Sequence, residues 1–177
     1  MENMKKSKKY YLILVVPLLI LTAIFISNQK IVSNQYELKE LLRKELQFTT
    51  DDKSVISYAG EFSLNGEMLY WFSIQNQYES YYRAVGCSLL QSGRYKVKKI
   101  YKPMIYAKDI VHVVWMGKDV FLINNPDCHS IICKDGAGNN SFEISLLPSD
   151  LPYVYLNEPP FRKSSTDFVD LDGNSVR

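Results

Sequence analysis

Cys133, His112 and Arg162 are the side chains of this 177-residue chain whose types could cooperate in covalent chemistry. A thiolate attacks a carbonyl carbon when a histidine manages its proton and a cation holds the oxyanion. In such a set Cys133 is the nucleophile, His112 the acid or base, and Arg162 the oxyanion stabiliser. Cys87, which follows Gly86, forms a weaker set with either histidine. His112, Cys128, His129 and Cys133 could instead be zinc ligands. However, C-H-x-x-x-C is not the ligand spacing of structural zinc sites. Adjacent strand residues also point to opposite faces, so Cys128 and His129 would not converge on one ion. No metal is expected.

Cys128 and Cys133 are five residues apart. On one strand they stand roughly 16 Å apart at ~3.3 Å per residue, beyond disulfide reach. A bridge from Cys87 to either is geometrically open, but buried thiols packing as small hydrophobes are the expectation. Other catalytic signatures are missing from the sequence: G-x-S-x-G, a phosphate-binding glycine loop and H-E-x-x-H. Glu61, Glu67 and Glu79 are scattered, with nothing to pair them as acid and base. Asp170-x-Asp172-Gly173 opens like a calcium loop, but no ligand near position 12 follows in this sequence. No cofactor is expected.

Two stripes could bind a ligand. Arg94, Lys96 and Lys98 alternate with Tyr95 and Val97. With Lys99 and Lys102 near, they form a basic strand face able to meet an anionic envelope polymer or lipid headgroups. The plainer role is a solvated face that blunts an edge strand. Tyr70, Trp71 and Phe72 with Tyr78, Tyr81 and Tyr82 would be a ligand shelf if outward-facing; a core role is favoured. If either stripe does bind, the candidates are Arg94, Lys96, Lys98, Tyr81 and Tyr82.

The elements that position these residues start with a membrane anchor. Lys5, Lys6, Lys8 and Lys9 precede Tyr10–Ile26, an uncharged run. At ~1.5 Å per residue it gives roughly 25 Å of helix, nearer 30 Å with its flanks, long enough to span a bilayer. Lysines ahead of it, with only Lys30 soon after, place the N-terminus in the cytoplasm and the rest outside. A cleaved signal and a buried soluble helix are the alternatives. Cutting after Ser27 or Ala23 would put Phe25 or Leu21 at the −3 position, where small residues are needed, so a retained anchor is expected. Pro17 would sit mid-span, where membrane helices tolerate it.

Charge divides unevenly. The first nine residues hold Glu2 and four of the 21 basic side chains, leaving 17 basic against 18 of the 19 acidic ones, a net of −1. A nearly neutral outer domain argues against nucleic acid as a partner.

Residues 1–30 are read as basic tail and anchor, 31–50 as an amphipathic linker helix, 51–148 as a β domain, and 149–177 as an irregular, partly disordered tail. In Ser33–Phe48, Leu38, Leu41, Leu42 and Leu46 recur at helical spacing, with Ser33 as N-cap and Glu37 in the first turn. Packing on its own domain is the default for such a helix. From Val55 the period is two. Glu61–Leu64 and Met68–Ile74 flank Asn65-Gly66, a hairpin signal. Tyr81–Leu90 and Tyr95–Tyr101 follow, and Pro103 interrupts. Ile110–Met116 and Val120–Ile123 flank a turn at Gly117-Lys118. His129–Cys133 and Phe142–Leu146 complete the set. The fold class is mainly β: an antiparallel meander forming a small barrel, sandwich or curled sheet behind one transmembrane helix and the amphipathic helix. No internal repeat is evident.

An N-terminal anchor, a β outer domain, a cysteine at a strand end and a later arginine resemble the sortase plan. Sortases end that strand Thr-Leu-x-Thr-Cys, whereas this chain reads Ser130-Ile131-Ile132-Cys133, and their histidine lies farther upstream than His112. Val111–Asn125 (VHVVWMGKDVFLINN) resembles an element of small, membrane-anchored bacterial β-domain proteins of unknown function. That likeness, over Phe62–Cys133, implies a fold class and a location but no activity. Many of those proteins carry a lipid-accepting cysteine that this chain lacks. The expected function is a non-catalytic, single-pass membrane protein whose outer β domain binds an envelope component or modulates a membrane-protein partner. The alternatives are a sortase-like envelope enzyme using Cys133, and an immunity or sensor protein whose work lies partly in the anchor.

Overall fold

The computed structural model describes residues 17, 30–46, 53–105, 109–135, 137–157 and 165–176. The chain divides into two compact units, Met1–Ile31 and Val32–Arg177. Apart from Pro17, the expected span Tyr10–Ile26 lies outside the described residues. Among the described residues, no helix is long and apolar enough to cross a membrane.

The second unit is mainly β, built of antiparallel sheets with one α-helix described in it. That helix, α1 (Gln35–Glu45), starts one residue later than Ser33 as cap would require. Asn34 is the N-cap: its Oδ1 accepts the Glu37 N–H at 2.9 Å, and Glu37 Oε2 accepts the Ser33 N–H at 2.7 Å. Two otherwise orphaned backbone donors are satisfied by this reciprocal pair. Leu38 and Leu42, one turn apart, are buried. Each contributes about 1.5–3 kcal/mol by leaving water.

The first sheet is a consecutive meander of β2 (Val55–Leu64), β3 (Glu67–Gln75), β4 (Ser80–Leu89) and β5 (Tyr95–Ile100). The short β1 (Ile31–Val32) lies beyond β5. After Pro103, β6 (Met104–Ile105) resumes pairing with β4. Asn65 and Gly66 make the β2–β3 turn with φ of 52° and 76°, the left-handed pair that two-residue hairpins require.

In the second sheet, β7 (Ile110–Trp115) and β8 (Lys118–Ile123) join at Met116-Gly117, φ 52° and 77°, one residue earlier than expected. The third sheet is centred on β9 (Ser130–Lys134), paired with β10 (Asn140–Ser145). The segment expected to be an irregular tail completes both sheets. β11 (Tyr153–Asn157) pairs with β8, and β12 (Ser165–Val169) pairs with β9. Proline-rich flanks hide these strands in the sequence, but their alternating side chains fill two cores.

Three apolar layers separate four layers of structure. Leu38 and Leu42 of α1 meet Ile56, Phe72 and Val85 on one face of the first sheet. The other face presents Leu69, Trp71, Tyr82 and Ala84 to Val111, Val113, Val120 and Leu122 of the second sheet. The far side of that sheet carries Ile110, Phe121, Ile123 and Tyr155, which pack on Ile131, Cys133 and Phe168 of the third. The middle sheet is therefore apolar on both faces, which accounts for its nearly unbroken VFLI run.

One local repeat does exist. Asp135 Oδ1 accepts the Ala137 and Asn139 N–H groups, and Asp170 Oδ1 accepts those of Asp172 and Asn174. Both turns read Asp-x-x-Gly-Asn, and both asparagine amides donate to the same aspartate's Oδ2. These bonds hold the Asp135 and Asp170 carboxyls below the usual carboxylate range, the Asn139 and Asn174 contacts contributing most.

Candidate functional site

The basic stripe is reshaped by a bulge. Tyr95, Val97 and Ile100 all pack toward the α1 core. Regular alternation would bring the next inward side chain two residues after Val97, but the apolar residue comes three after it, at Ile100. The pairing records the slip: Cys87 faces Val97, whereas Gly86 faces Lys99, so Lys98 is the extra residue. A bulge of this kind re-aims side chains. Here it turns two consecutive lysines toward one cleft of about 260 Å³.

Glu67, Gly86, Lys98, Lys99, Tyr101, Trp115 and Met116 line that cleft. Lys98 Nζ donates to Glu67 Oε1 at 2.6 Å. Lys99 Nζ sits 4.4 Å from the centre of the Tyr101 ring, a cation–π contact, and Tyr101 Oη donates to Val114 O at 3.2 Å. Trp115 is set edge-on to Phe62, ring centres 6.2 Å apart. Opposite Lys99, Gly86 forms the floor, where a Cβ would make only ordinary contact, 3.6 Å from Trp115 Nε1. Arg94 is exposed beside the β4–β5 turn, and Lys96 is half-buried opposite Ser88. The arrangement can hold an anion against an apolar wall. Of its members, only Lys98 was a binding candidate in the sequence; Lys99 was placed near the stripe, and Glu67, Gly86, Tyr101, Trp115 and Met116 were not marked. The jump from Val97 to Ile100 is the sequence signal that would have located the bulge.

The aromatic group lies in the core, the role favoured for it, and Tyr81 and Tyr82 are to be corrected as binding candidates. Tyr81 and Tyr82 are buried, as are Tyr70, Trp71 and Phe72; only Tyr78 of that group is exposed. Tyr82 Oη accepts from Asn124 Nδ2 at 2.7 Å, so its polar tip is satisfied inside the domain. Both faces of β3 and β4 are covered, which removes these tyrosines from ligand contact.

The covalent set is not brought together either. Cys133 is 1% exposed, with its Sγ 3.1 Å from Tyr155 Oη and 3.9 Å from Thr166 Oγ1. Thr166 Oγ1 donates in turn to Asn157 Oδ1 at 2.9 Å. His112 is exposed and stacks on Phe121, which stacks on Tyr155. Cross-strand register sets His112, Phe121 and Tyr155 in a row, so two aromatic residues intervene between the imidazole and the thiol. Arg162 lies outside the described residues. Cys87 and Cys128 are buried free thiols. Burial, with the Glu67 charge second, pushes the Cys87 thiol up to about 12, and burial also raises Cys128. Such thiols are poor nucleophiles. Among the described residues no three histidine, cysteine or acidic side chains are grouped to hold a metal.

No protein-family model, curated protein or solved structure matches the chain. The functional reading therefore rests on the residues themselves.

Proposed function

We propose that this chain is a single-pass membrane protein whose outer β domain is a non-catalytic binding module for an envelope component. In this reading Tyr10–Ile26 is the retained anchor, the N-terminus is cytoplasmic, and the β domain is a layered sandwich outside the membrane. The lysine cluster ahead of the apolar run supports the anchor and its direction. The observation that carries the binding role is the bulge in β5, which directs Lys98 and Lys99 into one cleft. The buried Cys133, separated in register from His112, favours binding over covalent catalysis.

Co-sedimentation of the full chain, in neutral detergent, with a washed envelope fraction tests this reading. The expected result is pelleting at low ionic strength and release by about 0.5 M salt, where exposed charges are strongly screened. Pelleting should also be lost in the Lys98→Ala/Lys99→Ala double variant. Equal pelleting of wild type and double variant, or turnover of an envelope substrate by the purified chain, would overturn it.

A further inference from the structure

We infer that the group held in the β5 cleft is a phosphate monoester on a small organic body, and that Glu67 is the built-in counter-ion it displaces from Lys98. This inference rests on the binding role proposed for the cleft.

Lys98 and Lys99, consecutive residues, both line one small space, with Lys98 Nζ on Glu67 and Lys99 Nζ over the Tyr101 ring. One of them already holds a carboxylate, since Glu67 Oε1 lies 2.6 Å from Lys98 Nζ. An incoming carboxylate would offer Lys98 only what Glu67 supplies. A phosphate monoester brings about −1.5 to −2 charge at neutral pH and three strong acceptor oxygens, enough to bridge both lysines. Lysine suits phosphate as a point charge on a flexible stem.

The burial of the two partners decides which one moves. The Glu67 side chain is 21% exposed and the Lys98 side chain 52%. Lys98 swings to the ligand, and Glu67 stays in the sheet. Across the cleft, Tyr101 is pinned by its bond to Val114 O and, with Trp115 and Met116, forms the apolar wall that would carry the ester's organic part. At about 260 Å³ the cleft is slightly smaller than typical ligand pockets of ~300–1,000 Å³, so it takes one end group rather than a length of polymer.

Isothermal titration calorimetry of the full chain in neutral detergent provides the test. Glucose 6-phosphate, glucuronate and inorganic phosphate are the probes, against wild type, Lys98→Gln, Lys99→Ala and Glu67→Gln. The sugar phosphate should bind at least about tenfold more tightly than glucuronate, which has the same ring with a carboxylate. Lys98→Gln and Lys99→Ala should each weaken it about tenfold, and Glu67→Gln should tighten it about threefold. Inorganic phosphate should bind more weakly than the sugar phosphate by losing the apolar wall. Equal or tighter glucuronate binding overturns the phosphate assignment, and weaker binding by Glu67→Gln overturns the counter-ion role. If no probe binds while envelope sedimentation still depends on Lys98 and Lys99, the ligand class is wrong and the cleft reading stands. If sedimentation also ignores those lysines, both fail.

Discussion

Lys98 Nζ and Glu67 Oε1 meet at 2.6 Å, joining the bulge of β5 to the first residue of β3 across the intervening β4. Exposure of Lys98 keeps this ion pair in a strongly screened setting, where such pairs contribute at most about 1 kcal/mol. Lys98→Ala and Glu67→Gln should therefore each change the urea unfolding free energy by less than about 1 kcal/mol. A loss of several kcal/mol would make the pair a structural tie, and its place in a binding cleft would be incidental.

Gly60 is the opposite case. It follows a second bulge, between Tyr58 and Gly60 on β2, and has φ of +143°. A Cβ there would meet Val154 Cγ2 of β11 at 2.9 Å. Backbone conformation and space both exclude a side chain at this crossing of the first and second sheets. Gly60→Ala should cost about 2 kcal/mol in chemical denaturation. Adding Val154→Ala should not restore stability, because the strained φ remains. An unchanged midpoint in Gly60→Ala would show that the two sheets do not approach this closely.

The thiols make a chemical prediction. Cys87, Cys128 and Cys133 are all buried, and none is in a disulfide. A membrane-impermeant maleimide at pH 8 should label none of them in the native chain and all of them after denaturation without reductant. Fast native labelling of Cys133 would place an accessible thiol on β9 and favour the covalent reading. A need for reductant would reveal a disulfide.

High pH should destabilise the fold. Partial desolvation, then the Glu61 charge and hydrogen bond, raises Tyr58, which is half-exposed, and its share in stability is small for that reason. Cys87 rises to about 12 from its ordinary 9.0. Tyr70 and Tyr155 are raised as well, chiefly by burial, with Tyr95 and Cys133 respectively adding to the effect. Between the unfolded and folded values the native chain keeps protons that the unfolded chain has released, so stability falls as pH rises through that window. The urea midpoint should stay flat up to about pH 8.5 and drop by about pH 10.5. A flat profile through pH 11 would mean these groups are solvated.

Local chemistry was legible where it decides structure by itself. Asn65-Gly66 supplies the left-handed pair its turn needs, and Leu38 and Leu42 mark the buried face of α1. The strands of β9 and β10 were legible, but β12 was hidden because it pairs with β9 while β10 and β11 lie between them in the chain, and pairing at such separation leaves no local period. Tyr153–Asn157 reads as proline-flanked irregular chain until the middle sheet gives both its faces a core. Little of the candidate site was legible. Lys98 was identified by alternation, but Trp115 reaches the cleft through the packing of β7 against the first sheet, with Met116 in the turn that follows. No spacing along the chain encodes that contact.

Lysine footprinting by acetylation and mass spectrometry, on the full chain with and without an envelope fraction, addresses the binding role most directly. Lys98 and Lys99 should be protected when the fraction is present, while Lys44 and Lys53, exposed and away from the cleft, should react as before. Equal reactivity of all four in both samples would contradict the account.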